Sequence, residues 1–122
     1  DNVNEKSIVI SETLAGSGTL TLDLHGKDCV ITEPLLCKNI RIVNPHKVKL
    51  TGDATLAEGT NISLEYTDGN VCSFGLVISW EAAQPDLLTV TLDAATQEKY
   101  GNLLVVDAKG VHLSLGMVIF LR

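Results

Sequence analysis

Hydrophobic and polar residues alternate along most of the chain. In Thr19-Leu20-Thr21-Leu22-Asp23-Leu24-His25 the leucines share one side, and the threonines, Asp23 and His25 share the other. The same two-residue period runs through Asn39-Ile40-Arg41-Ile42-Val43-Asn44, Lys47-Val48-Lys49-Leu50-Thr51, Asn61-Ile62-Ser63-Leu64-Glu65-Tyr66-Thr67 and Leu88-Thr89-Val90-Thr91-Leu92-Asp93. Successive side chains of a strand point to opposite faces, so each segment predicts a strand with one buried and one wet face. Residues 7–10 and 28–32 predict shorter strands. Residues 72–80 predict a longer one, with Phe74, Leu76, Ile78 and Trp80 on the inner face. Residues 103–107 are mixed.

Turn signals separate these strands at short intervals. They include Ala15-Gly16-Ser17-Gly18, His25-Gly26-Lys27-Asp28, Asn44-Pro45-His46, Thr51-Gly52-Asp53, Glu58-Gly59-Thr60, Thr67-Asp68-Gly69-Asn70, Gln84-Pro85-Asp86 and Lys109-Gly110. Glycine supplies positive φ there and proline pre-sets the turn. The one helical pattern is a short turn over 94–100, opened by Asp93 as an N-cap and closed by Gly101. These signals predict an all-β fold: an antiparallel β-sandwich or barrel-like domain of about eight to ten short strands. Strand spacing has no fixed period, which argues against a β-solenoid. Residues 1–122 form a single domain on this reading, with the polar residues 1–6 as a flexible arm.

Composition narrows the function classes. The chain has 122 residues, 45% hydrophobic and 20% charged, an ordinary globular balance. Its formal net charge of −6 argues against nucleic acid as a partner. No window approaches the roughly 20 apolar residues of a membrane helix. The first residues lack the apolar stretch of a secretory signal, and the absence of an initiator Met suggests a cleaved precursor, a trimmed chain or a renumbered fragment. Cys29, Cys37 and Cys72 are odd in number and fit no zinc-ligand spacing, so they read as buried free thiols of a chain folded in a reducing compartment.

No catalytic motif emerges. His25, His46 and His112 fall in turns or on outward strand positions and show no metal-ligand spacing. Nucleophile elbow, Walker loop and dinucleotide fingerprint are all missing, and Gly16-Ser17-Gly18 reads as a flexible turn. Asp23, Glu65, Asp93 and Asp107 could pair in space as glycosidase carboxylates do, but a chain this short leaves few long loops for a cleft. Asp68-Gly69-Asn70 is too short for a calcium loop. Asn61-Ile62-Ser63 matches a glycosylation acceptor by pattern alone. The expectation is a non-enzyme with no cofactor and no metal.

Two segments suggest contact surfaces. Arg41, Lys47 and Lys49, with Lys38 and His46, form a basic patch on two strands read as neighbours. It is either a solvated hairpin face or a docking face for the acidic segment 53–68 of a second copy. Met117, Val118, Ile119, Phe120 and Leu121 are apolar at five successive positions. Alternating side chains cannot all reach one core, so this run is either a central strand or an oligomer seam. Phe74, Trp80 and Tyr66 are assigned to the core, which leaves Tyr100 beside Gly101 as the one candidate exposed ring for stacking a surface glycan.

A resemblance sharpens this picture. Gly18-Thr19-Leu20-Thr21-Leu22-Asp23-Leu24, the strand at 28–32, Leu56-Ala57-Glu58-Gly59-Thr60-Asn61-Ile62-Ser63-Leu64-Glu65-Tyr66, the turn Thr67-Asp68-Gly69-Asn70 and the strand ending Ile78-Ser79-Trp80 together cover about half the chain. In this order they resemble a small β module of phage virion proteins, of tail fibre, appendage or capsid decoration type. The resemblance implies a virion structural protein without catalytic residues, often a homotrimer, assembled in the host cytoplasm beside other virion proteins. The alternatives are a carbohydrate-binding β-sandwich and an extracellular adhesin domain.

Overall fold

The structure, a computed structural model, describes residues 7–10, 14–71, 74–84, 88–101 and 103–114. The described chain forms β1 (Ser7–Ile10), β2 (Leu14–Asp23), β3 (Asp28–Ile31), β4 (Leu35–Val43), β5 (Val48–Leu50), β6 (Asn61–Glu65), β7 (Gly75–Trp80), β8 (Thr89–Leu92), β9 (Leu104–Asp107) and β10 (Gly110–Leu113). A 3-10 turn occupies Thr67–Gly69, and helix α1 spans Ala94–Tyr100.

The strands do not form an antiparallel sandwich or barrel. One sheet has the order β1-β3-β5-β7-β10-β9, the other β2-β4-β6-β8. Through β8 the chain alternates between the two, so each strand pairs with the strand two places along. All of those pairings are parallel; β10 alone pairs in the antiparallel sense, with β7 and β9. The architecture is therefore mixed parallel and antiparallel, with one helix. Its first eight strands wind as a flattened coil of four turns, which also overturns the expectation against a solenoid. Parallel neighbours need a crossover, and here the strand of the opposite sheet supplies it. Coil length grows from about 20 residues between β1 and β3 to about 30 between β5 and β7, too irregular to register as a repeat.

Stacking in register builds the core. Ile8, Cys29, Val48 and Ile78 form one inward column, and Ile10, Ile31, Leu50 and Trp80 a second. From the facing sheet come Leu20, Ile40, Ile62 and Val90, then Leu22, Ile42, Leu64 and Leu92. The members from the second and third coils are buried, and both sheets feed one cluster. Burying each such side chain contributes about 1.5–3 kcal/mol, so these columns dominate stability. Phe74 was expected among them but is exposed, lying just before β7. The segment Gly16-Ser17-Gly18 is not a turn: it lies inside β2, where the pairing with β4 shifts between Gly16 and Thr19.

The corners stack as well. Asn44 adopts positive φ (52°), which its short polar side chain tolerates. Its Oδ1 accepts from the Thr67 N–H at 2.9 Å, and its Nδ2 donates to Thr67 Oγ1 at 2.8 Å. One corner is thereby fastened to the next.

The far end of the coil is sealed. The Asp93 carboxylate accepts from the Thr96 N–H at 3.0 Å and the Thr96 hydroxyl at 2.7 Å, which caps α1. The same carboxylate accepts from the Tyr66 N–H at 2.9 Å, tying helix to coil. Beyond it, the β9–β10 hairpin closes on β7. Gly110 lies so near that strand that a Cβ would sit 1.8 Å from the Ile78 carbonyl oxygen.

Candidate docking surfaces

The basic residues are divided by the alternation of strands between sheets. Arg41 lies on β4 in the four-stranded sheet, whereas Lys49 lies on β5, and Lys47 just before it, in the six-stranded sheet. The patch expected on neighbouring strands is thus two separate groups. Arg41 Nε donates to Glu65 Oε2 at 2.7 Å, and this bond holds the guanidinium above its ordinary value. Glu65 belongs to the acidic segment proposed for a second copy, so part of that complementarity is satisfied within the chain. Lys47 Nζ donates to the carbonyls of Phe74 and Leu76, each at 3.2 Å, and Lys38 Nζ to that of Glu58 at 2.9 Å.

Each histidine meets an aspartate. His46 Nδ1 lies 2.6 Å from Asp28, His112 Nε2 3.0 Å from Asp107, and His25 Nδ1 3.7 Å from Asp23. Asp107 sits below its ordinary value chiefly because the Lys109 N–H donates to it; a smaller cost of burial opposes this and His112 reinforces it. The pairs belong to separate places in the fold. Among the described residues no three His, Cys, Asp or Glu side chains gather as a metal site. Cys29 and Cys37 are buried free thiols, and burial pushes Cys29 up to about 11. Cys72 lies outside the described residues.

Tyr100 is half-buried against the core. Phe74 meets its ring edge-on at 5.5 Å between centroids, and Lys99 Nζ lies 5.4 Å from its centre. An open groove of about 350 Å³ lies at the sealed end, lined by Trp80, Gln84, Leu88, Val106 and Asp107 among others. Its polar groups are engaged within the chain. Trp80 Nε1 donates to Ala108 O at 2.9 Å; Gln84 accepts from the Leu56 N–H and donates to Ala54 O; Asp107 accepts from the Lys109 N–H. The groove surface is mixed polar and apolar, and its polar side chains are already bonded within the chain.

The opposite end of the coil is different. Ile8, Ile10, Leu20 and Leu22 point inward in the first coil but stay half-exposed, and Val9 beside them is 61% exposed. At the sealed end, too, the outer strand β9 leaves Val105 50% and Val106 49% exposed. Sequence reasoning missed these edges, since alternation alone does not say which strand is outermost. The adjacent valines 105 and 106, which cannot both face one core, were the available signal. Residues 117–121, the apolar run expected at a seam, lie outside the described residues.

No family model matches the chain, nor does any curated protein or solved structure.

Proposed function

We propose that the chain is a non-enzymatic assembly module of a virion, in a capsid decoration or an appendage such as a tail fibre. It binds sister subunits and other virion proteins through its strand edges and coil ends. One observation carries this reading: among the described residues, β1 is the outer strand of its sheet and the first coil presents half-exposed aliphatic columns, a surface suited to another strand and not to a polar metabolite. Burial of apolar surface supplies the free energy of such contacts. The polar side chains at the groove and corners serve internal bonds, which is how a rigid scaffold spends them.

The expected assembly is a homotrimer, formed in the host cytoplasm; an extracellular adhesin built on the same surfaces is the alternative setting. Sedimentation equilibrium at micromolar concentration tests it. A stable trimer is expected, and a monomer at every concentration would overturn the proposal. A glycan-dependent change in Trp80 fluorescence would instead favour carbohydrate binding at the groove.

A further inference from the structure

We draw no further inference here: the strongest candidate, the surface patch of Val105 and Val106 on the outer strand β9 with the groove that adjoins it at Trp80 and Leu88, carries nothing because nothing in the structure shows what covers it.

Discussion

The two ends of the coil were built to different standards. After β8 the chain spends α1, the β9–β10 hairpin and the three-way Asp93 cap on closing the stack. At β1 and β2 the described chain carries no such closure, and the aliphatic columns run out into half-exposed side chains. All four columns end half-buried at β1 and β2, whereas at β7 and β8 Ile78 and Leu92 are buried and only Trp80 and Val90 are half-buried, so the difference is one of degree of sealing. In a stacked fold a sealed end terminates growth and an open end invites it.

Mutations can separate the two ends. The largest effect is expected at the sealed end. Gly110→Ala places a Cβ against the Ile78 carbonyl at a φ of 149°, which L side chains rarely adopt, and should cost about 4 kcal/mol by urea denaturation. Next comes the interior: Ile40→Ala should cost about 3 kcal/mol through the cavity it leaves. Leu20→Ala, one coil outward in the same column and half-exposed, should cost about 1.5 kcal/mol. A cost as large as that of Ile40→Ala would mean that the first coil is covered in solution.

Asp93→Ala should cost about 1–2 kcal/mol, because it removes the helix cap. Burial pushes that carboxyl upward, but hydrogen bonds from Thr96 and Tyr66 outweigh it and hold the group below its ordinary value. A depressed carboxylate contributes stability above its unfolded value, and that contribution is lost as pH falls through the folded value. Acid titration of the unaltered chain should therefore show a loss of stability that Asp93→Ala lacks. The smallest effect belongs to Arg41→Ala, which should leave the urea midpoint unchanged, since its pair with Glu65 is solvent-screened.

The amino-acid pattern made the inner faces legible and hid the order of the strands. Ile40, Ile42, Val48, Leu50, Ile62 and Leu64 were assigned inward from alternation, and all six are buried. The Asp93 and Gly101 boundaries of α1 follow from capping chemistry that acts within a few residues. Alternation reports one wet face, however, and says nothing of the neighbour's direction. The usual association of wet-faced sheets with antiparallel pairing therefore misled. That same error joined Arg41 to Lys47 and Lys49 as if β4 and β5 were adjacent, whereas β4 lies between β2 and β6. Phe74 was misassigned because the period continued one residue past the start of β7.

The position of Cys29 gives the molecule a built-in clock. Its thiol lies directly beneath Ile8, at the second level of a column whose first level is open. Raised to about 11 by burial, the sulfur is almost wholly protonated near neutrality, and its alkylation should be slow unless the first coil peels away. In a chain whose Cys37 and Cys72 are replaced by alanine, the rate of its alkylation would time that peeling directly.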